Sequence, residues 1–139
     1  MRLFLDANII FAAAISPEGR CSSIFELAKN NACSLLTSPY SLEEVRRNLQ
    51  AKYPLALTRL EQNLLPLLSM TLEPSIERIE WAIAQGLPPK DAPILAAAID
   101  SHATLLVTGD KTHFGLLYGK IFEELEVLDM RNALNRVLG

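Results

Sequence analysis

Short apolar runs alternate with amphipathic stretches along this chain. Leu42, Val45 and Leu49 repeat at the spacing of one helix face, whereas the run at Thr104–Thr108 has the length of a buried strand. The pattern predicts strands over Arg2–Leu5, Cys33–Thr37, Met70–Leu72, Thr104–Thr108 and Val127–Leu128. It predicts helices over Asn8–Ile15, Ser22–Lys29, from Pro39 past Leu49, from Leu57 to about Leu68, from Ser75 to Gln85, after Asp91, over Phe114–Tyr118, and at the end through Leu138.

Strands that alternate with helices predict an α/β fold built from βαβ units, with a mainly parallel sheet covered on both faces. The 139 residues suit one domain, and we find no repeat or linker that would divide residues 1–139. Half of the residues are hydrophobic, which is enough for a full core without metal or disulfide staples. The two cysteines have no zinc-site spacing and form no disulfide framework.

Two aspartates follow directly after predicted strands. Asp6 ends the apolar run "LFLD", and Asp110 comes after "LLVTG". The carboxyl ends of parallel strands lie at one edge of a sheet, where ligands bind, so both acids are expected there. Each has an ordinary structural explanation, because aspartate also caps helices and closes turns. Asn8 is placed either to orient Asp6 or to close the turn by its own hydrogen bonds.

Two further acids stand near helix starts. Asp91 opens the apolar helix after "LPPK", where it is a natural N-cap. Glu44 has two interpretations: it completes a capping box with Ser41, or it lies inside a helix that starts at Ser38. The neighbouring Glu43 is the competing candidate for a functional acid in this helix.

Converging carboxylates predict a cation. Acids gathered in one place repel each other and lose hydration unless a cation joins them. Oxygen ligands favour hard ions, so Mg²⁺ or Mn²⁺ is expected rather than zinc. Such an ion can bind a phosphate and activate water, which makes a nuclease one candidate function.

The ordered segments "LFLDANII", "SPYSLEEVRRNL", "LPPKDAPILAAAIDSHATLLVTGD" and "HFG" resemble those of PIN-domain ribonucleases over nearly the whole chain. The resemblance implies a three-layer α/β/α sandwich, PIN-like and Rossmann-like, with the first and fourth strands adjacent. It implies that Asp6, Glu44, Asp91 and Asp110 are the catalytic acids, with Asp6, Asp91 and Asp110 as the metal ligands. Thr108 and Asn8 would support them. His113 stands where many members carry a further acid, which favours a single-metal site.

The resemblance also implies partners. Many small members look like the toxin half of VapBC-type toxin–antitoxin pairs, which cleave RNA, are inhibited by an antitoxin and commonly dimerise. Basic residues beside the acids are candidate RNA contacts, in particular Arg47 and Lys111, together with Arg46 and Lys90. The leucine-rich segments "RLEQNLLPLLSM" and "NALNRVLG" either pack in the core or form a homodimer interface.

Other classes are less well supported. The formal charge of −3 argues against a passive basic nucleic-acid clamp. No apolar run reaches the length of a membrane span, and the start of the chain does not have the pattern of a signal peptide, so we expect a cytoplasmic protein. Two alternatives stay open. One is a PIN-fold module that binds RNA or protein without turnover, and the other is an α/β phosphotransferase with Asp6 as nucleophile.

Overall fold

The strands form one sheet in the computed structural model, which describes residues 1–139. They are β1 (Arg2–Leu5), β2 (Ser34–Thr37), β3 (Leu68–Met70), β4 (Leu105–Val107), β5 (Ile121–Phe122) and β6 (Leu125–Leu128). Their order across the sheet is β3-β2-β1-β4-β6-β5. All pairs are parallel except β5 with β6, a short antiparallel edge that the sequence did not predict. Since β1 pairs directly with β4, the predicted adjacency of the first and fourth strands is confirmed.

Helices cover both faces of this sheet. They are α1 (Ala7–Ile15), α2 (Arg20–Lys29), α3 (Pro39–Lys52), α4 (Leu57–Arg59), α5 (Ile76–Ala84), α6 (Ala92–Asp100), α7 (Lys111–Phe114) and α8 (Met130–Leu138). None of them combines the length and the apolar character that crossing a lipid bilayer requires.

The core lies in two layers because successive side chains of a strand point to opposite faces. Leu3 and Leu5 of β1 pack with α1, α2 and α3 in one layer. Phe4, between them, packs with α6 in the other. The α6 segment is buried at seven of its nine positions, from Ala92 to Ile99, as its nearly continuous apolar sequence predicts. The mainly parallel three-layer α/β/α fold is therefore confirmed.

The segment after Pro54 differs from the single helix that was predicted. It consists of a 3₁₀ turn (Pro54–Ala56), the short α4, a π turn (Leu60–Leu64) and a second 3₁₀ turn (Leu65–Leu67). Proline lacks an N–H group and its ring crowds the preceding turn, so Pro66 interrupts regular α hydrogen bonding. Leu60 and Leu64 are nevertheless fully buried, which gives these two leucines of the first leucine-rich segment a core role.

Candidate metal centre

Asp6 and Asp110 both lie at the carboxyl edge of the two central strands. β1 and β4 are paired with Leu5 opposite Val107, so the two strands end at the same level of the sheet. The backbone N–H of Asp6 continues this pairing by donating to the carbonyl of Val107 at 3.0 Å. The order of strands thus places Asp6 and Asp110, which are 104 residues apart in sequence, at the same edge of the sheet.

The carboxylate of Asp6 is almost completely buried, with 3% of the residue exposed. Its Oδ1 accepts a hydrogen bond of 2.7 Å from the N–H of Ala7. Its Oδ2 accepts from the hydroxyl of Thr108 at 2.8 Å and from Nδ2 of Asn8 at 3.2 Å. Burial nevertheless raises the pKa of Asp6 to about 6, and the nearby Glu44 and Asp91 add to the increase. Asp6 is therefore a helix cap held in an environment that disfavours its charge.

Asn8 connects the ends of β1 and β4. Its Oδ1 accepts a hydrogen bond of 2.8 Å from the N–H of Gly109, while its Nδ2 donates to Asp6. Of the two interpretations of Asn8, the one in which it orients Asp6 matches these contacts. The Thr108 hydroxyl has a similar double role, since it donates to Asp6 and accepts from the N–H of Asp110 at 3.1 Å.

Asp91 occupies the N-cap position of α6 but does not cap the helix with its side chain. The residue is 8% exposed, and its Oδ2 is buried without a hydrogen-bond partner. Burial raises the pKa of Asp91; His113 opposes this, and Asp110 reinforces it. A buried carboxylate oxygen without a donor is energetically unfavourable, so this atom needs a cation or a proton.

His113 stands between Asp91 and Asp110. Its Nδ1 lies 2.8 Å from Oδ2 of Asp110 and 3.0 Å from Oδ2 of Asp91. A single N–H can be directed at only one of them, and Asp110 has the geometry of a hydrogen bond. Asp110 also caps α7, because its Oδ1 accepts from the backbone N–H of His113 at 3.1 Å.

These three residues fit a divalent ion. One ligand atom each from Asp91, Asp110 and His113 lies within 4.8 Å of the others. The unpartnered oxygen of Asp91 points to the same conclusion, since coordination would satisfy it. The group contains two of the three predicted ligands and one nitrogen donor. Asp6 is outside it, with its oxygens engaged by Ala7, Thr108 and Asn8.

Glu44 lies on α3 beside this centre. Ser38 caps α3 by accepting from the N–H of Ser41, so the capping box with Ser41 as N-cap is wrong and the earlier helix start is correct. Glu44 is consequently inside the helix, half-buried, and close enough to raise the pKa of Asp6, whereas Glu43 is exposed. Of these two acids, Glu44 is therefore the one whose charge acts on Asp6.

Three residues near the centre were not singled out from the sequence. Tyr40 donates its hydroxyl hydrogen to the carbonyl of Lys90 at 2.6 Å, and burial and the charges of Glu44, Asp91 and Asp6 raise its pKa. Tyr118 donates to the carbonyl of Thr108 at 2.7 Å. Asp129 follows β6 as Asp6 follows β1, and its charge adds to the increase that burial causes in the pKa of Tyr118. The repeated pattern of an apolar run followed by aspartate could have identified Asp129.

The basic residues at the rim differ in their pairing. Arg47, Lys90 and Lys111 are exposed. Arg46 is paired with Glu61, with Nε 2.9 Å from Oε1. Burial raises the pKa values of Tyr40 and Asp91, and the charges of Arg47 and Lys90 oppose these two increases respectively, so one cation acts on Tyr40 and the other on Asp91. Arg46 is therefore the least available of the four for a phosphate.

Residues 2–112 match the family model of the PIN domain. No curated protein sequence matches the chain significantly. Among solved structures, VapBC2 from Rickettsia felis, bound to a DNA fragment from its promoter, is 21% identical with a TM-score of 0.66, over 93% of this chain and 98% of that chain. PAE2754 from Pyrobaculum aerophilum is 18% identical with a TM-score of 0.69, over 99% and 96% of the chains. VapC20 from Mycobacterium tuberculosis, a sarcin-ricin loop cleaving toxin, is 13% identical with a TM-score of 0.59, over 86% and 98%.

Proposed function

This chain belongs to the PIN domain family, and we propose from that premise that it is a metal-dependent ribonuclease, which hydrolyses phosphodiester bonds of RNA. The observation that carries the proposal is the buried Oδ2 of Asp91, which has no hydrogen-bond partner and faces Asp110 and His113. Such an arrangement is costly in a protein that only binds through its surface, and it is useful in one that holds a cation.

In this proposal Asp91 and Asp110 hold Mg²⁺ or Mn²⁺ directly, and Asp6 holds it directly or through water. The bound ion would lower the pKa of a water molecule and stabilise negative charge on the phosphate. Thr108 and Asn8 fix the carboxylate of Asp6 through their hydrogen bonds to its Oδ2. Glu44, whose charge adds to the rise in the pKa of Asp6, completes or orients the set of acids. In this proposal the four acids act on one ion, each in a different role.

Contacts to the RNA backbone are assigned to the exposed cations at the rim. Lys111 directly follows Asp110, and Arg47 lies one turn of α3 beyond Glu44. Positive charge in these places offsets the repulsion between acidic groups and phosphates. The net charge of −3 is compatible with RNA binding when a metal ion is present at the centre.

A toxin of a toxin–antitoxin pair is the biological role that we propose for this ribonuclease. Similar structures include VapBC2 from Rickettsia felis and VapC20, which is described as a toxin. An antitoxin would then be a protein partner of this chain, and the chain would form a homodimer. Light scattering of the purified protein tests the dimer, which a mass equal to one chain would exclude.

The ribonuclease is tested by following cleavage of labelled RNA in Mn²⁺ or Mg²⁺. We expect cleavage by the wild type, none in excess chelator, and a loss on the order of 100-fold or more in Asp91→Asn, as is typical when a group that stabilises the transition state is removed. Asp100→Asn is the matched control, because Asp100 lies at the opposite end of α6 and pairs with Arg78. Equal cleavage by both variants would indicate a contaminating nuclease. RNA binding without cleavage by the wild type would favour the non-catalytic binding module.

A further inference from the structure

We propose that His113 is a nitrogen ligand of the metal centre, and that the centre therefore prefers first-row transition ions, Mn²⁺ and Zn²⁺ among them, to Mg²⁺. The inference rests on the proposed function in that it concerns the same ion. It adds a ligand that the acids alone do not provide, and it changes the expected metal preference.

The contacts of His113 have the dimensions of a coordination group. Nδ1 lies 2.8 Å from Oδ2 of Asp110 and 3.0 Å from Oδ2 of Asp91. Neighbouring ligand atoms of an octahedral ion at about 2.1 Å lie roughly 3.0 Å apart. Nδ1 of His113 is thus already spaced from each of the two oxygens as an adjacent ligand would be, and all three ligand atoms lie within 4.8 Å of one another.

The surroundings hold the imidazole ring in this place. Asp110 accepts the backbone N–H of His113 with Oδ1 at 3.1 Å, so the residue is fixed at the start of α7. The side chains of His113 and Asp110 are 29% and 25% exposed, so water can reach the group, whereas the side chain of Asp91 is only 11% exposed. A preorganised ligand loses little conformational freedom when the ion binds.

The buried Oδ2 of Asp91, which has no hydrogen-bond partner, favours a metal-ligand role for His113 over a role as an ordinary ion-pair partner. If His113 served only to neutralise the acids, its single N–H would satisfy Asp110 and leave the buried oxygen of Asp91 without a partner. An ion shared by Nδ1 and both oxygens satisfies all three atoms. Coordination through Nδ1 requires the neutral ring with its proton on Nε2, so metal binding displaces any proton from Nδ1 to solvent.

The nitrogen donor decides the metal preference. Carboxylate oxygens suit Mg²⁺ and Mn²⁺ alike, whereas imidazole binds transition ions much better than Mg²⁺. A set of two carboxylates and one imidazole is therefore expected to bind Mn²⁺ and Zn²⁺ more tightly than Mg²⁺. Among the two ions considered for the proposed ribonuclease, Mn²⁺ is favoured.

Nuclear magnetic resonance of ¹⁵N-labelled histidine tests the ligand directly. The chain has two histidines, and His102 is exposed at the opposite end of β4, so it serves as an internal reference. With Zn²⁺ we expect the Nδ1 signal of His113 to shift while both nitrogens of His102 stay in place. The spectrum of His113→Ala assigns the two rings. Equal shifts of both rings, or no shift of His113 when Zn²⁺ is bound, would refute the inference.

Calorimetric titration of the full chain with Mn²⁺, Zn²⁺ and Mg²⁺, each alone, tests the preference. We expect His113→Ala to raise the Kd of Mn²⁺ and Zn²⁺ at least ~10-fold, since even indirect partners of a metal site are worth that much. The Kd of Mg²⁺ should change less. His113→Asp, which offers oxygen instead of nitrogen, should lower the preference for Zn²⁺ over Mg²⁺. His102→Ala is the matched control and should leave every Kd unchanged.

The outcomes separate this inference from the proposed ribonuclease. Tighter binding of all three ions by His113→Ala would mean that the ring blocks the centre, and it would refute the inference. Unchanged Kd values of Mn²⁺ and Zn²⁺ in His113→Ala would also refute the inference, but they would leave the ribonuclease proposal intact. Absence of metal binding by the wild type would refute both. Circular dichroism of each variant checks that the fold is preserved.

Discussion

The hydroxyl of Thr108 donates a hydrogen bond of 2.8 Å to Oδ2 of Asp6, across 102 residues of sequence. This contact joins the two central strands at the point where each leaves the sheet. It also lowers the pKa of a carboxylate that burial drives upward. Thr108 is thus both a structural connection and a means of keeping Asp6 ionised.

Thr108→Val should therefore have two effects. Loss of the bonds to Asp6 and to the N–H of Asp110 leaves buried groups without partners, which should destabilise the fold by about 1–3 kcal/mol. It should also raise the pKa of Asp6 further, so the midpoint of the pH–activity profile should move to higher pH. Thermal unfolding and RNA cleavage between pH 5 and 8 measure the two effects. Thr112→Val, at an exposed position, is the control. If Thr108→Val had the same stability and pH profile as Thr112→Val, the role assigned to the Thr108 hydroxyl would be contradicted.

Asp6→Asn should stabilise the metal-free protein near pH 8. Burial raises the pKa of Asp6 to about 6 in the fold, against 3.8 for an unperturbed aspartate, so the folded state binds the proton more tightly than the unfolded chain does. The free energy of unfolding should consequently fall as pH rises through this window and stay low above pH 6. Two pKa units correspond to roughly 3 kcal/mol, and asparagine loses part of the hydrogen bonding, so a gain on the order of 2 kcal/mol is expected.

Urea unfolding of Asp6→Asn in chelator measures this gain, with Asp100→Asn as the control. The stability of the Asn variant should lose the dependence on pH between 4 and 6 that the wild type shows. RNA cleavage should fall in the same variant, since the proposed metal site loses an acid. A variant less stable than the wild type at pH 8 would mean that the hydrogen bonds of Asp6 outweigh the cost of burying its charge.

Lys111→Ala should weaken RNA binding more than Lys29→Ala. Lys111 directly follows Asp110, whereas Lys29 is in the last turn of α2. Binding isotherms at several salt concentrations should show a salt dependence reduced by about one charge for Lys111→Ala alone. Measurements in Ca²⁺ or with an uncleavable RNA keep the substrate intact. Identical salt slopes for the two variants would exclude Lys111 as a phosphate contact.

Tyr40→Phe should loosen the segment that carries Asp91. The Tyr40 hydroxyl binds the carbonyl of Lys90 at 2.6 Å, directly before Asp91, and this is the contact that the substitution removes. We expect metal affinity to fall by roughly 10-fold, the lower end of what supporting hydrogen bonds contribute at metal sites. Calorimetric titration with Mn²⁺ measures the effect, and Tyr53→Phe is the control at an exposed tyrosine outside the centre. Equal Mn²⁺ affinities of the wild type and Tyr40→Phe would show that the Tyr40 hydroxyl does not support the metal centre.

The sequence was informative where local pattern and topology agree. Apolar runs that end in aspartate located Asp6 and Asp110 at the edge of the sheet, because strand ends are encoded by adjacent residues. The antiparallel β5 was missed because two residues, Ile121–Phe122, are too few to form a recognisable pattern. The helix predicted after Leu57 was wrong in detail because its leucine spacing does not reveal how Pro66 alters the turns before it.

The contacts within the candidate site depend on the directions of side chains, which the sequence pattern does not predict. His113 was identified as an unusual residue, but its contact with Asp91 depends on the orientation of α7 relative to the start of α6. The two residues are far apart in sequence and no local spacing encodes the contact. The metal and catalytic roles of Asp6, Glu44, Asp91 and Asp110 remain predictions, which the variants above test.

The order of strands also fixes when the centre can form during synthesis on the ribosome. β1 is made first, yet it lies between β2 and β4, and its partner β4 begins only at Leu105. Thr108, Asp110 and His113 follow β4 closely, so Asp6 has no complete set of neighbours until this segment has been translated. A nascent chain that ends before β4 therefore carries Asp6 without its partners, and the candidate centre is assembled only after α7 has been synthesised.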